Sequence, residues 1–337
     1  MPRWTRSCRR SSGRSSSVAS ELAEALGLER LQASALITRG SATAMARGSV
    51  DDLRRGIEIA ERAKVHSQLF RGLNNLGEWL SATGDIVAHE ELYARMRRDA
   101  EQLGLGNQLL WFDGQECGWR YMRGHWGRAL DLANSLIALA EAGKAQYHEA
   151  DARWVRALIR YGRDDVAGAL ADAERAAAAA RAAHELQAIA PALCVQSLLL
   201  ACEGRRSAAA QLLDEVLALG ETRMLPYFAT PSVLWAAVEL GREADVEPVM
   251  RRGQESPWRD AAAAGCAGDF VEARAIFARL GLESEAAAAA VHAAAHLLER
   301  GDRAGANEQL AAAQTFYRQM GATRLLRTAE ALLAATA

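Results

Sequence analysis

The sequence predicts an all-α protein made of antiparallel helical hairpins that follow one another along the chain. Alanine supplies 73 of the 337 residues and aromatic residues only 6%. Alanine is the strongest helix former, but it fills a wide core poorly. Alternation of apolar and polar residues, the pattern of half-buried strands, is scarce. Glycines recur between helix-compatible stretches at intervals of 27 to 42 residues. We therefore expect many closely packed helices rather than one bulky globular centre.

The chain begins with a segment that we exclude from the fold. Its first twenty residues, MPRWTRSCRRSSGRSSSVAS, hold five arginines, seven serines and no acidic residue. This composition resembles a transit peptide, and it lacks the apolar stretch of a secretion signal. We predict that residues 1–20 form a disordered basic arm.

Eight glycines mark the predicted turns between the two helices of each hairpin. Glycine reaches the positive φ that ends one helix and lets the chain reverse. The residue nine positions after each glycine is apolar in all eight cases, and six of the eight residues seven positions before are small. The predicted turn residues are Gly48, Gly84, Gly124, Gly162, Gly204, Gly241, Gly268 and Gly301.

The positions around each turn have physical reasons. Positions five and nine after the glycine are four apart, so they share one helix face. A small residue on the first helix that faces alanine on the second lets the two axes approach closely. Asp85, Asp269 and Asp302 follow their glycines directly, where a carboxylate can cap the second helix.

The interval of 27 residues before Gly268 is too short for a full hairpin repeat. In ESPWRD (Glu255 to Asp260), Ser256 is predicted to cap a short helix with Pro257 at its first position. We therefore predict two arrays, residues 21–255 and a shorter array at 256–337 that ends in a capping helix.

Hairpins of this size with a small–Gly–Ala–apolar order resemble the tetratricopeptide repeat (TPR). The best matches are LGEWLSATGD (Leu76 to Asp85), RGHWGRALDLA (Arg123 to Ala133) and AGDFVEARAIF (Ala267 to Phe277). His89 stands where alanine is expected, and the proline expected at the repeat end is absent. The resemblance implies a right-handed α-solenoid, whose function is its extended surface.

The last part of the chain resembles a more specific array. AGDFVEARAIFARLG, an alanine-rich helix and LAAAQTFYRQMGATRLLRTAEALLA (Leu310 to Ala334) are similar to the C-terminal TPR region of large actinobacterial regulators. Those proteins join an adenylate or guanylate cyclase domain, or a LuxR/AfsR-type DNA-binding domain, to an NTPase. The resemblance implies a non-catalytic regulatory module. Two alternatives remain open: a fragment of a cyclase–ATPase whose catalytic domains are not in this sequence, and a small-molecule-sensing array.

No catalytic constellation is found. The phosphate loop GxxxxGK[ST] is absent, since EAGKAQ has only the Gly143–Lys144 pair. His292 and His296 form HxxxH, but Ala293 stands where a zinc protease needs glutamate, so two packing histidines are expected. We predict no catalytic residue, no cofactor and no metal.

The charge and composition of the chain bear on its partners and its cellular compartment. A net charge of −2 gives no reason to expect direct nucleic-acid binding or an anionic membrane partner. The five cysteines have no CxxC spacing, which favours reduced thiols in a bacterial cytoplasm. The longest uncharged stretch, Leu186 to Cys202, has 17 residues and is expected to be a buried repeat helix rather than a membrane span.

One surface is predicted to bind a protein or peptide partner. In TPR arrays the first helix of each hairpin lines the concave side, so inward-facing residues can be counted back from the turn glycine. Asparagines and arginines at those positions resemble a clamp for the terminal carboxylate of a peptide. The alternative is that the aromatic residues fill hairpin interfaces and the arginines are solvated. The predicted groove residues are Arg71, Asn74, Asn75, Trp111, Tyr121, Arg153, Arg156 and Arg160. The sequence does not predict the oligomeric state.

Overall fold

In the computed structural model, residues 18–144, 147–252 and 255–334 are described, and all regular secondary structure within them is helical. The chain divides into two compact units, Met1–Gly104 (unit 1) and Leu105–Ala337 (unit 2). The predicted fold class, an all-α solenoid of antiparallel helical hairpins, is confirmed. Each unit is described by itself.

Unit 1 is a short run of hairpins. Its second and third helices form one pair and its fourth and fifth helices form the next, while the second and fourth helices lie side by side. The helices are α1 (residues 18–25), α2 (Glu29–Arg47), α3 (Asp51–Arg62), α4 (His66–Thr83) and α5 (Ile86–Gln102).

Unit 2 continues the same pattern with shorter helices in its middle. The helices are α6 (Gly106–Met122), α7 (Trp126–Glu141), α8 (Glu149–Gly162), α9 (Val166–Ala183), α10 (Leu186–Cys202), α11 (Arg206–Thr222), a 3₁₀ turn (Tyr227–Ala229), α12 (Thr230–Leu240), α13 (Glu243–Arg251), α14 (Pro257–Cys266), α15 (Phe270–Arg279), α16 (Glu283–Glu299), α17 (Arg303–Met320) and α18 (Thr323–Ala334). The first helix of each hairpin contacts the first helix of the next hairpin, in the order α6, α8, α10, α12 and α14.

The last hairpins of unit 2 return to its first hairpins. Helix α16 contacts α6, and α18 contacts α8. One buried core therefore contains Trp126 of α7 together with Ala287 of α16 and Tyr317 of α17. Consequently the two ends of unit 2 do not depend on sequence neighbours alone for burial.

The turn prediction holds at seven of the eight positions. The seven residues other than Gly162 have φ between 66° and 88°, the left-handed region that glycine enters without steric cost. The prediction of a turn at Gly162 is wrong, because Gly162 is the last residue of α8. Asp164, at φ 74°, makes this turn instead, which moves the repeat register there by two residues.

The burial of residues in α8 and α9 agrees with a repeat register that is counted from Asp164. Ala169 and Ala173, five and nine residues after Asp164, are completely buried, whereas Ala167 and Ala171 are exposed. The small residue seven positions before the turn is then the buried Ala157 rather than Val155.

Small residues at the crossing of each hairpin allow the two helices to approach closely. A Cβ atom on Gly77 of α4 would lie 2.7 Å from the Tyr93 ring of α5. At the corresponding crossings the Ser197 hydroxyl donates to the Ala209 carbonyl at 2.8 Å, and the Cys117 thiol to the Ala129 carbonyl at 3.5 Å. At these two crossings a small polar side chain of the first helix thus donates to a backbone carbonyl of the second.

The predicted helix caps are confirmed. The carboxylates of Asp85, Asp269 and Asp302 accept hydrogen bonds from backbone N–H groups three residues later, at 2.9 to 3.2 Å. Ser256 caps α14 in the same way, with Pro257 at its first position. These contacts satisfy N–H groups that have no partner within their own helix.

Two sequence predictions concern segment boundaries. Most of the predicted arm lies outside the described residues, and residues 18–20 begin α1. The predicted boundary between residues 255 and 256 stays a prediction.

The uncharged stretch Leu186–Cys202 forms α10. Among the described helices, none is both long enough and apolar enough to cross a membrane.

The tight crossings predict that Ala273→Leu destabilises unit 2. Ala273 of α15 is completely buried, and overpacking a core position typically costs about 1–3 kcal/mol. Chemical denaturation followed by circular dichroism measures the loss. The matched control is Ala278→Leu on the exposed side of the same helix. If both variants unfold at the wild-type midpoint, Ala273 does not lie at a tight crossing.

Candidate functional site

The predicted groove residues lie in different units. Arg71, Asn74 and Asn75 are on α4 of unit 1, and the other five are on α6 and α8 of unit 2. Each group has its own surroundings and is described separately.

In unit 1, Arg71 is exposed and points its guanidinium group at neutral oxygens. One terminal nitrogen donates to the Ser34 carbonyl at 2.9 Å and lies 3.3 Å from the Thr38 hydroxyl. Partial burial lowers the pKa of Arg71. Its contacts within residues 18–144, 147–252 and 255–334 are with hydroxyl and carbonyl oxygens, and no carboxylate there forms an ion pair with it. Its charge is therefore partly desolvated and uncompensated.

The two asparagines extend the same face of α4. Tyr93 of α5 donates to the Asn74 side-chain oxygen at 2.6 Å, which leaves the Asn74 amide N–H groups pointing away from that bond. The Asn75 amide donates to the Ser41 hydroxyl at 2.7 Å. We call Ser34, Thr38, Arg71, Asn74 and Asn75 the unit 1 polar face; it offers hydrogen-bond donors beside a positive charge.

In unit 2, the two aromatic groove residues have different surroundings. Trp111 is half-buried, and its ring lies edge-on to His148 with 5.6 Å between centroids. Tyr121 is buried and stacks on Trp126 at 5.5 Å. Burial raises the pKa of Tyr121. Tyr121 is thus part of the hairpin core.

The three arginines of α8 converge on one carboxylate. Arg156 makes two hydrogen bonds of 2.7 Å to Asp172 of α9, and Arg160 makes one of 2.8 Å. Arg153, only 4% exposed, bonds Glu149 at 2.8 Å and lies 3.9 Å from Asp172. Asp172 is 2% exposed. These four residues, with Glu149, form what we call the Asp172 cluster.

The register shift explains this cluster. Counting back 13, 9, 6 and 2 residues from Gly162 gives Glu149 and the three arginines, which are the positions predicted to face inward. Because the turn residue is Asp164, those inward positions move on by two residues, to Asp151, Val155, Leu158 and Gly162. A shift of two residues turns a side chain about 200° around a helix. The arginines consequently reach α7 and α9 instead, where Arg156 also bonds Asn134 at 3.1 Å.

Polar contacts join the first and last hairpins of unit 2. The Trp126 indole donates to the Ser284 hydroxyl at 2.9 Å, and that hydroxyl donates to the Tyr121 carbonyl at 2.6 Å. Arg123 donates to the Gly281 carbonyl at 3.0 Å. Further along, Arg324 of α18 lies over the Tyr161 ring, 4.6 Å from its centroid. We call these contacts the seam.

A buried carboxyl group lies next to the seam. Glu285 of α16 accepts a hydrogen bond from the Trp235 indole of α12. Burial raises the pKa of Glu285 to about 7, and the hydrogen bond from Trp235 opposes this rise. Its charge would also raise the pKa values of two neighbouring tyrosines, Tyr121 and Tyr317. Glu285 is therefore about half protonated at neutral pH and largely protonated below pH 6.

The two histidines of the HxxxH pair pack against aromatic rings. His292 stacks on Trp235 at 5.3 Å, and His296 lies edge-on to Phe270 at 4.9 Å. Burial, assisted by His296, lowers the pKa of His292 to about 4. In the part of the chain that the structure describes, no group of three or more His, Cys, Asp or Glu residues is arranged to hold a metal ion.

Sequence reasoning missed the residues that organise unit 2. Asp172 and Glu285 were not singled out, although each is an acidic residue within an alanine-rich helix and each is buried. The sequence did not distinguish them from their exposed neighbours Glu174 and Glu283, two residues away on the same helices. Ser284 and Trp126 are 158 residues apart, and nothing in the local pattern connects them.

The comparisons with known proteins do not assign this chain to a family. No protein-family model matches the sequence, and no curated protein matches it. Among solved structures, the TPR domain of P58(IPK) is similar at 14% sequence identity, with 96% of this chain and 99% of that chain covered. The TM-score is 0.25, too low to support an argument. The assignment of an array of antiparallel helical hairpins therefore rests on the helices of this chain.

The Asp172 cluster predicts that Asp172→Asn destabilises unit 2. The change keeps the shape of the side chain but removes the carboxylate that Arg156 pairs with. Arg153 keeps Glu149 and Arg160 keeps Asp165 at 3.6 Å. Removing one partner of a buried ion pair costs roughly 3–5 kcal/mol, and the lower end applies because Arg160 is one-third exposed. Urea denaturation measures the cost, and Asp131→Asn on the exposed side of α7 is the control. Equal stability of the two variants would show that the cluster is not structural.

The buried Glu285 predicts a defined pH dependence. Its pKa rises from 4.5 unfolded to about 7 folded, so its contribution is fully present below pH 4.5 and is lost as pH rises through 7. The loss amounts to about 3 kcal/mol. Glu285→Gln should therefore gain stability relative to wild type between pH 5 and pH 8.

The lowered pKa of His292 acts in the opposite sense, because its contribution is lost as pH falls from 6.5 through about 4. The difference between wild type and Glu285→Gln cancels this term, since His292 is present in both proteins. The control is Glu283→Gln, which is exposed on the same helix. Parallel pH–stability curves for wild type and Glu285→Gln would contradict the assignment.

Proposed function

We propose that this protein is a non-catalytic interaction module and that unit 1 binds a peptide partner through the unit 1 polar face. The observation that carries the proposal concerns the charge of the Arg71 side chain. Its guanidinium group is partly desolvated, and among the described residues it has no carboxylate partner. A carboxylate on a partner supplies the missing charge.

The chemistry of the face favours an extended peptide with a free terminal carboxylate. Arginine pairs with carboxylates through a planar fork of two N–H groups. Asn74 and Asn75 lie three and four residues after Arg71, so their amides stand on the same helix face. Such amides can bond the peptide backbone next to the terminal carboxylate.

The proposal does not rest on the groove residues of unit 2. Arg156 and Arg160 already bond Asp172, Arg153 bonds Glu149, and Tyr121 lies in the core. A role for these residues and for Trp111 in partner binding stays a prediction.

The wider setting of the module is also part of the proposal. The resemblance of Leu310 to Ala334 to the end of actinobacterial cyclase–ATPase and LuxR/AfsR-type regulators supports a regulatory role in a bacterial cytoplasm. The four cysteines of the described residues are free thiols, as expected in a reducing compartment. An in-frame cyclase or phosphate-loop sequence immediately upstream in the DNA would favour the alternative of an enzyme fragment.

Selection from a display library of peptides with free C-termini tests the peptide-binding function. Wild-type protein should enrich a family of sequences, and amidation of their C-termini should weaken binding at least tenfold. Arg71→Gln should lose the same peptides while it keeps the wild-type melting temperature, because only hydrogen bonds to Ser34 and Thr38 are removed. Arg62→Gln is the matched control, since it removes an exposed arginine paired with Glu29.

Two results would overturn the proposal. One is a wild-type protein that enriches no peptide above the background of the library. The other is a set of enriched peptides that bind Arg71→Gln and Arg62→Gln with equal affinity.

A further inference from the structure

An open cleft in unit 2 combines several positive side chains with an apolar wall. Its volume is about 680 Å³. It lies where the turn between α6 and α7 meets the end of α17, next to the seam. The lining residues are Glu116, Arg120, Gly124, His125, Trp126, Gly127, Arg128, Arg163, Gln319 and Met320.

The charges that line the cleft do not cancel. Glu116 contacts both Arg120 and Arg128, at 3.0 and 3.6 Å. Arg163 donates instead to the Met320 carbonyl at 3.2 Å. The lining residues hold three guanidinium groups and one carboxylate, a formal surplus of two positive charges. Glu283, whose Cβ lies next to Gly124, is outside the lining.

The nearest acidic residues along the chain are already engaged elsewhere. Asp164 pairs with Arg327 at 2.8 Å and Arg324 at 3.5 Å, and these pairs lower the pKa of Asp164. Asp165 caps α9 through a 2.9 Å bond from the Gly168 N–H group. Neither Asp164 nor Asp165 lines the cleft. The positive charge of Arg163 is therefore not neutralised by an acidic residue of the α8–α9 turn.

We propose that this cleft binds a phosphate group, either inorganic phosphate or a small phosphate monoester. A phosphate monoester carries about −1.5 to −2 charge at pH 7, which matches the surplus of two positive charges. Arginine forks fit phosphate oxygens through paired N–H donors. Gly127 contributes no side chain, and a Cβ atom there would meet nothing within 4 Å, so the entrance has room for the ligand.

Such a ligand would join the two ends of unit 2. Arg120 and Arg128 belong to its first hairpin, whereas Met320 ends α17 in its last part. A phosphate held by Arg128 and Arg163 would relieve repulsion among the arginines. Because Arg163 also donates to the Met320 carbonyl, the ligand would favour the closed seam. Binding should therefore raise the melting temperature, as any ligand selective for the folded state does. This site is separate from the unit 1 polar face, so its failure would leave the proposed function unaffected.

Calorimetric titration of the full chain tests the site, with inorganic phosphate and glycerol 3-phosphate as probes. Sodium chloride of matched ionic strength is the reference, and acetate is a singly charged comparison. We expect saturable binding of both phosphates with a Kd in the millimolar range or below, and binding of acetate at least tenfold weaker. Thermal melting in the same solutions should show stabilisation by the phosphates.

Variants assign the binding to the cleft. Arg163→Gln and Arg128→Gln should each weaken phosphate binding at least tenfold. Glu116→Gln should strengthen it several-fold, because it removes the competing carboxylate. Arg175→Gln is the control, since this exposed arginine pairs with Glu141 on another surface. Arg128 is half-exposed, so its variant should fold even if Arg163→Gln does not.

Some outcomes would overturn the proposal. Wild-type protein that binds phosphate no better than chloride excludes the site. Phosphate binding that is equal in Arg128→Gln and Arg175→Gln places the anion elsewhere. Equal affinity for acetate and phosphate would contradict the match to a doubly charged group.

Discussion

The close approach of the two helices in each hairpin is the constraint on which the rest of the structure depends. A residue in the left-handed conformation reverses the chain, and small side chains at the crossing bring the axes together. At Gly77 a single added carbon would strike Tyr93. At Ser197 the hydroxyl spans the short distance to the opposite backbone. Because these points fix the rotation of each helix, they also decide which side chains face a neighbouring helix and which face solvent.

That rotation determines which arginines remain available to a ligand. In α8 the turn at Asp164 directs Arg156 and Arg160 toward Asp172, where their charges are matched inside the protein. In α4 the turn at Gly84 leaves Arg71 beside neutral oxygens. The two helices carry similar residues, yet only one of them offers an uncompensated charge. A tightly matched internal cluster contributes to folding, whereas an unmatched surface charge can contribute to binding.

The sequence was sufficient for the helical hairpins, seven of the eight turns and the caps, because each is determined by residues within one or two helical turns. It failed at Gly162 because α9 is so rich in alanine that registers two residues apart fit the pattern equally well. The non-glycine residue Asp164 gave no sign of a positive φ. This single error placed three arginines on the wrong side of α8. It shows how strongly a count along a helix depends on its reference residue.

The seam could not be predicted for a different reason. Ser284 and Trp126 meet across 158 residues of sequence, and only the accumulated geometry of the intervening hairpins brings them together. The closure gives the C-terminal hairpins of unit 2 a packing partner at both ends. It also creates the cleft at Arg163 and the buried environment of Glu285, neither of which belongs to a single repeat.

Chemical modification of arginine tests the central claim, that the fold separates matched from available arginines, in one measurement. Brief treatment of the native protein with phenylglyoxal, followed by peptide mass spectrometry, reports the reactivity of every arginine at once. We expect Arg71 to react at a rate close to that of exposed arginines such as Arg54. Arg153 and Arg156 should be protected at least tenfold until the protein is denatured. Equal modification of Arg71, Arg153 and Arg156 in the native protein would contradict the account.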